Sequence, residues 1–471
     1  MLRVRLNSTI SAQGMRFIQE NLLNWRVGML FGAALFLRFF LAPYPGFSGD
    51  IDSAVQYPRV TAQMGLYAVG DISKGQLSEL YPPFFVYHTW LVGHVLRDKI
   101  GQDENGKSPP SSLAERMGMR AVTIGYDLLA GATLLLVIGR FVSRRAGELG
   151  AAIYLFNPGT ILNSSLWNFD AVASFYMLLA VFFLGMALSG DRPVFWALAW
   201  GAVGLAFCSK LQAGMLLPIM GLITLLTWKP WTIIRSAVAF LAVVGVIYAP
   251  FLVGEQLVYL KRVFVDSFQS YPVTSANAYN LWGLWFQMPT SHRVAGITLE
   301  SIGRALYLGS MAWLVWQIWR HKVAQATGVD AFRRVAIVSA YGCLVPFVVL
   351  TRMHERYIAP AVALCILAGM LDRRLHPLMW GISITYGLNL LSIIIQTWQP
   401  WDLAAPSQTM LQSIHVSFAV VRLFCSLLNI GLFAWLALRL PRLLSSLESD
   451  APACGSFIAR GAPAGAWPGQ L

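Results

Sequence analysis

Residues 81–97 read YPPFFVYHTWLVGHVLR, and whether this stretch crosses a membrane or lies on one decides how the rest of the chain is oriented. It is apolar enough to span. Parity weighs against a crossing: it would put Arg144, Arg145 and every later basic cluster on the face opposite the amino-terminal Arg3, Arg5, Arg16 and Arg26, whereas Lys and Arg collect at cytoplasmic helix ends. The stretch therefore reads as a helix lying at the outer interface. Pro82 and Pro83 then form its first turn, where a missing N–H costs little.

Outward from this helix, apolar runs near the roughly 20 residues of a spanning helix occur at about 26–43, 120–139, 147–163, 169–189, 193–208 and 212–227, and again at about 236–253, 297–319, 332–350, 357–371, 377–397 and 411–438. The composition agrees with that count of twelve. Of 471 residues 56% are hydrophobic and 12% charged, half the charge that soluble domains carry at about 25%, which excludes a string of ordinary soluble domains. Seventeen Trp and sixteen Tyr suit two membrane interfaces. The net charge of +13 follows from topology and implies no nucleic-acid partner, because its basic clusters fall after alternate runs: Arg140/Arg144/Arg145, Lys229/Arg235, Arg320/Lys322/Arg333/Arg334, Arg373/Arg374 and Arg439/Arg442.

The expected fold is an all-α polytopic membrane protein of about twelve transmembrane helices. Residues 1–442 form one integral membrane domain whose first outer loop, 44–119, carries the interfacial helix, and 443–471 form a disordered cytoplasmic tail. No removable signal peptide is visible at the start, and the five cysteines show no CxxC or zinc spacing.

On this topology the polar residues outside the basic clusters gather on the outer side. Asp50 and Asp52 lie in SGDIDSAVQYPRV, Asp170 in SSLWNFD, Lys210 and Gln212 in FCSKLQAG, Asn277 and Asn280 in SANAYNLWGLW, and His354, Glu355 and Arg356 in TRMHERY. Carboxylates, cations and amides delivered by five stretches to one face suit a reaction site better than a conduction path. Each stretch also has an ordinary structural reading. An Asp beside Gly is often a helix cap, Lys210 can snorkel to headgroups, HER can be a local salt-bridge cluster, and NAYNLWGLW is half an interface aromatic belt. Asp127, inside a predicted span, reads as the buried partner of a cation and is given no catalytic role.

The order of these stretches resembles the GT-C superfamily of membrane glycosyltransferases that use lipid-phosphate sugars. GDID followed by YPPFFVYH resembles the G-D-x-E loop and YPPLxAYH stretch of the dolichyl-phosphate-glucose glucosyltransferases of N-glycan precursor assembly. RAVTIGYDLLAG, WNFD, SKLQAG and MHERY are similar, in that order, to the R-x-x-x-x-x-D, HFQYN, FKQMA and HEKS elements of that family. MHERY and the DID triplet are closer to bacterial GT-C mannosyltransferase-like proteins.

The resemblance implies a GT-C fold and an inverting hexosyltransferase on the non-cytoplasmic face, with a polyprenyl-phosphate sugar as donor and a lipid-linked glycan as acceptor. It places the base at Asp50 with Asp52 as alternate, and the leaving phosphate among Arg356, Lys210 and His354. A bacterial plasma membrane is favoured, with the endoplasmic reticulum as alternative. Phosphate suits the planar fork of Arg. Asp50 and Asp52 are able to hold Mg²⁺ or Mn²⁺, but two carboxylates alternate in direction along an extended chain, so no metal or other cofactor is favoured. The absence of GxGxxG and GxxxxGK[ST] suits a lipid-linked donor rather than a nucleotide sugar. The rival readings are a transporter or lipid-linked-sugar flippase, which needs polar groups along a path through the midplane, and a non-catalytic assembly subunit.

Overall fold

A computed structural model describes residues 24–66 (45 and 47 apart), 81–100, 111–397 (167, 168, 191, 255, 266, 268–270 and 286 apart) and 408–445. The cluster Arg3, Arg5 and Arg16 and the tail from 446 lie outside the described residues. The protein is a predominantly helical polytopic membrane protein. Its helices, in chain order, are α1 (Trp25–Leu41), α2 (Ser48–Met64), α3 (Pro83–Val95), α4 (Leu113–Phe141), α5 (Arg144–Leu155), α6 (Pro158–Ser165), α7 (Asp170–Gly190) and α8 (Pro193–Ser209), then α9 (Leu217–Leu225), α10 (Pro230–Tyr248), α11 (Gln256–Phe264), α12 (Leu299–Arg320), α13 (Gly328–Val349), α14 (Ala359–Leu371), α15 (His376–Thr397) and α16 (Gln408–Leu444).

Each of the twelve apolar runs falls on helix. Among the described residues six helices are long and apolar enough to cross a membrane, namely α4, α7, α10, α13, α15 and α16, while α8 and the stretch Leu211–Leu225 are shorter apolar helices. At 13 residues, α14 rises only about 20 Å, less than a hydrocarbon core of about 30 Å. The run predicted over 147–163 is two helices, and the reason is local. Pro158 offers no N–H and keeps Asn157 out of the helical region, so Asn157 (φ −64°, ψ 124°) instead caps α6 through a side-chain bond from the Gly159 amide. The run at 212–227 begins as a 3-10 turn over Leu211–Leu216 before α9.

Residues 83–95 are helical, with Pro82 capping and Pro83 in the first turn. At the start of α4, Ser112 and Glu115 form a reciprocal capping box, and Glu115 also grips Arg59 of α2 at 2.6 Å. This ties α2 to a spanning helix. The segment holding Asp50 and Asp52 is helical rather than extended. The alternation argument against joint chelation, which assumed an extended chain, therefore does not apply to this segment.

Burial sorts the bundle. In α13, 94% of the apolar window is inside the protein, against 22% for Pro230–Phe251, so α13 is the central post and α10 faces lipid. Inside the bundle, Asp127 has the cation expected of it. Arg38 of α1, wholly buried, lies 2.6 Å from its Oδ2, Tyr154 donates to Oδ1 at 2.7 Å, and Ser164 donates to Oδ2 at 3.0 Å. Four helices, α1, α4, α5 and α6, meet on this one carboxylate.

Between α11 and α12 the chain leaves the helical pattern. Its strand β1 (Ser275–Ala276) pairs in parallel with β4 (Met353–His354), the stretch after α13, and β2 (Arg293–Val294) and β3 (Ile297–Thr298) form a small hairpin. The β1–β4 pairing brings the HER segment to one end of the bundle.

Candidate active site

The amino end of α7, the carboxyl end of α8 and the 3-10 turn Glu355–Ile358 after β4 converge there. Asp170 is the first residue of α7, where a carboxylate favours the helix dipole. Lys210 ends α8, in extended backbone (φ −157°, ψ 132°), because the chain must turn into Leu211–Leu216. The Lys210 ammonium lies 2.6 Å from Asp170 Oδ1 and 5.0 Å from the centre of the Tyr357 ring. Arg356 Nε stands 3.8 Å from Asp170 Oδ2, and its Nη1 donates to Glu355 Oε1 at 3.1 Å. All four charged groups are buried.

His354 completes the group. Its Nδ1 is 3.9 Å from Glu355 Oε2, and its ring meets Tyr271 edge to face at 4.5 Å. Burial, then Arg356, then Lys210 hold it well below its ordinary pKa of 6.5, so it is neutral. Its Nε2 is buried and has no hydrogen-bond partner among the described residues.

Lys210, His354 and Arg356, with Asp170 and Glu355 behind them, form one wall of a cavity of about 490 Å³ that also takes in Gln212, Arg262, Glu300, Arg304 and Arg352. Among its described lining residues are five basic side chains and one acidic one, Glu300. Glu300 is shared between Arg304 at 2.5 Å and Arg352 at 3.1 Å. With His354 neutral, the lining carries an excess of positive charge even after Asp170 and Glu355 behind it are counted. A cavity of this kind attracts an anion of phosphate character. Two lining residues, Tyr271 (φ 57°) and Arg352 (φ 64°), have left-handed backbone, uncommon for non-glycine residues and concentrated at functional sites.

Of the residues singled out by sequence, Asp170, Lys210, His354, Glu355 and Arg356 are brought together, with Gln212 in the lining. The two asparagines are not part of that wall. Asn280 is wholly buried and spends its amide on backbone: Nδ2 donates to the Phe347 and Leu350 carbonyls, and Oδ1 accepts from the Trp282 and Gly283 amides. Its amide is filled by these bonds, and it holds the 280–283 turn against the end of α13. Asn277, at φ 67°, contributes its carbonyl to Asn389 and a bridge to His354. It braces the HER strand. Asp50 and Asp52 lie on α2, and their side chains fall outside the described residues. That helix reaches the site through α3, whose Phe85 packs edge to face on both Tyr57 of α2 and Phe169 beside Asp170. Tyr81 and Pro82, at the start of α3, line the cavity.

Hydropathy concealed Glu300, Arg304 and Arg262. The first two sit in a run that reads as a span, yet their i, i+4 spacing at its very start places both on one face of the first two turns of α12. Arg262 ends the amphipathic helix QLVYLKRVF, whose charged face was available as a signal.

No family model matches the chain, and no curated protein matches it. Among solved structures it is similar to ArnT from Cupriavidus metallidurans bound to undecaprenyl phosphate, with 14% identity over 89% of this chain and 76% of that one and a TM-score of 0.47. Against the apo state of the same protein the identity is 17%, the coverage 89% and 76%, and the TM-score 0.46. It is also similar to the Archaeoglobus fulgidus oligosaccharyltransferase in its apo form, at 13% identity, over 88% of this chain and 56% of that one, with a TM-score of 0.41. At these scores they stand as similarities only.

Proposed function

We propose that the protein is a GT-C glycosyltransferase that moves a hexose from a polyprenyl-phosphate carrier to a hydroxyl of a lipid-linked glycan, with inversion, on the non-cytoplasmic face of a bacterial plasma membrane. One observation carries this reading. Lys210 and Arg356, from segments far apart in sequence, meet over Asp170 in a cationic cavity at one end of the bundle. A phosphate bearing a sugar matches that charge. Such a cavity at a helix end also suits a donor whose lipid tail stays in the membrane.

In the proposed reaction the acceptor oxygen forms a bond to the anomeric carbon as the bond from that carbon to the phosphate oxygen breaks. The hydroxyl proton passes to the carboxylate of Asp50, with Asp52 as alternate, and the electron pair of the broken bond leaves with the phosphate. Lys210 and Arg356 meet the developing dianion. Each such contact is worth about 2.7–4 kcal/mol if it acts as an oxyanion donor does. Neutral His354 offers Nε2 to a phosphate oxygen or a sugar hydroxyl. Asp170 and Glu355 hold both cations in place. The cations match the phosphate charge unaided, so the transfer is proposed to run without a metal.

A translocation path is less well supported. Of the five ionic residues in the predicted spans, Arg38, Asp127, Glu300, Arg304 and Arg422, the first two are locked to each other, and Glu300 and Arg304 belong to the cavity wall.

The test is transfer by purified full-length protein in detergent, supplied with a polyprenyl-phosphate hexose and a lipid-linked acceptor. Asp50→Asn should lower turnover by about 10²–10⁴, the range for loss of a general base, with polyprenyl-phosphate binding retained. Near-normal turnover in that variant rejects Asp50 as base, and no transfer by the unaltered protein with any hexose donor rejects the enzyme reading.

A further inference from the structure

A second cavity, of about 330 Å³, lies at the other end of α12. Glu300 and Arg304 begin that helix and line the candidate active site, whereas Trp319 and Arg320 end it and line the second cavity. At about 1.5 Å per residue, Glu300 and Arg320 are about 30 Å apart along the axis, the thickness of a bilayer's hydrocarbon core. The chain between Gln212 and Leu226 joins the same two cavities. The two cavities thus lie about one hydrocarbon core's thickness apart along α12.

The second cavity is built for an amphipathic anion. Trp228 and Trp319 are 79% and 62% exposed, beside the exposed Arg320 and Lys322, and no carboxylate is among its described lining residues. Neither Arg320 nor Lys322 is in an ion pair with a described residue. Arg320 instead lies 4.9 Å from the centre of the Trp316 ring. Asp330, nearby in sequence, is already held by Arg333 at 2.8 Å and Arg334 at 2.5 Å. Backbone strain collects here as well. Seven described non-glycine residues have positive φ, and two of them, Trp228 (54°) and Lys322 (49°), line this cavity. Such backbone persists where the surroundings fix it, typically at ligand clamps.

We propose that this cavity binds an anionic phospholipid from the leaflet opposite the candidate active site, with Arg320 and Lys322 on the headgroup phosphate and Trp228 and Trp319 along the glycerol and upper acyl chains. Basic pockets at helix ends recognise lipid headgroups by this combination, and Trp settles at that depth. The proposal is independent of which reaction the other cavity performs.

The test uses delipidated full-length protein in detergent, titrated with phosphatidylglycerol and with phosphatidylcholine of the same acyl chains. Phosphatidylglycerol should bind about thirtyfold tighter, the worth of two basic contacts at a membrane surface. R320Q/K322Q should bring it down to the phosphatidylcholine level with an unchanged melting temperature. Millimolar inorganic phosphate should leave the lipid in place. Equal binding of the two lipids, or full retention of selectivity in R320Q/K322Q, overturns the proposal. Displacement by inorganic phosphate also overturns it, since the ligand is then a free anion. If R320Q/K322Q does not fold, Trp228→Ala serves in its place. It keeps both cations and should still weaken phosphatidylglycerol, and unchanged affinity there overturns the lipid assignment.

Discussion

Asp170 stands between two cations, 2.6 Å from the ammonium of Lys210 and 3.8 Å from the guanidinium of Arg356, with its side chain 1% exposed. A carboxylate so placed has two effects of opposite sign on an enzyme that binds an anion. It removes charge that would attract the phosphate, and it holds the cations where the phosphate must arrive. Asp170→Asn separates them. Two buried cations lose the carboxylate they share, though Arg356 keeps Glu355, so the variant should be less stable by about 3–5 kcal/mol, while polyprenyl phosphate, meeting less competing negative charge, should bind as tightly as before or more tightly. Lys210→Ala should weaken binding and lower kcat/KM by about 10²–10³. Melting curves with and without polyprenyl phosphate decide the matter: the ligand should raise the midpoint more in D170N than in the unaltered protein, and an equal or smaller rise refutes the ion-pair role.

His354 makes stability depend on pH in a predictable direction. Burial beside Arg356 and Lys210 holds its folded-state pKa far below the value of 6.5 that it regains on unfolding. Above pH 6.5 both states are neutral there and the residue adds no slope. Below it the unfolded chain takes up a proton that the folded protein does not, so stability falls with pH by at most about 1.4 kcal/mol per unit. His354→Gln should remove this component. The midpoint difference between variant and unaltered protein should therefore move in the variant's favour from pH 7.5 to pH 5.5. A pH-independent difference refutes the neutral, buried assignment.

The positions of the spanning helices were legible in the sequence because burial and lipid both demand uninterrupted apolar runs. The gathering of Asp170, Lys210 and HER was legible too, since ionic residues at helix ends are costly without a purpose. What hid was the division of labour. Asn280 looks like a binding amide until the Phe347 and Leu350 carbonyls, from a segment about 70 residues away, are seen to consume it. Glu300 and Arg304 look like intruders in a span until α12 proves to begin at the cavity rim. The break at Asn157–Pro158 was written in the proline, but the apolar run across it masked the signal.

Gly93 tests whether α2, the helix of Asp50 and Asp52, must sit tight on α3. A Cβ at Gly93 would lie 2.5 Å from the Pro58 carbonyl oxygen and 3.0 Å from Ala62 Cβ, and a backbone oxygen cannot swing away. Gly93→Ala should cost about 1–3 kcal/mol in overpacking and lower turnover as α2 shifts. At Gly201 the nearest atom to such a Cβ is 3.8 Å away. Gly201→Ala should be neutral or stabilising, because alanine is the better helix former. Thermal midpoints and transfer rates of the two variants, measured together, should diverge. Equal behaviour would mean that the α2–α3 contact does not set the position of the acids.

The ion pair Arg38–Asp127 separates a structural staple from a proton relay. A relay carboxylate must change its protonation state during the cycle, so it cannot hold a permanent set of bonds. Asp127 receives Arg38, Tyr154 and Ser164 at 2.6–3.0 Å from three helices packed on its own, and Arg38 also donates to the Ala34 carbonyl at 3.2 Å. Removing one partner leaves a buried charge unmatched, so Asp127→Leu and Arg38→Leu should each destabilise by about 3–5 kcal/mol. Replacing both with leucine removes the two charges together, and the double variant should recover most of that loss, because apolar side chains are at home among α1, α4, α5 and α6. Denaturation of all three variants reads the cycle directly. The double variant should also keep the transfer rate within a few-fold of the unaltered protein, since neither residue reaches the cavity. A double variant that folds normally yet loses function would assign the pair to the working cycle and restore the translocation reading.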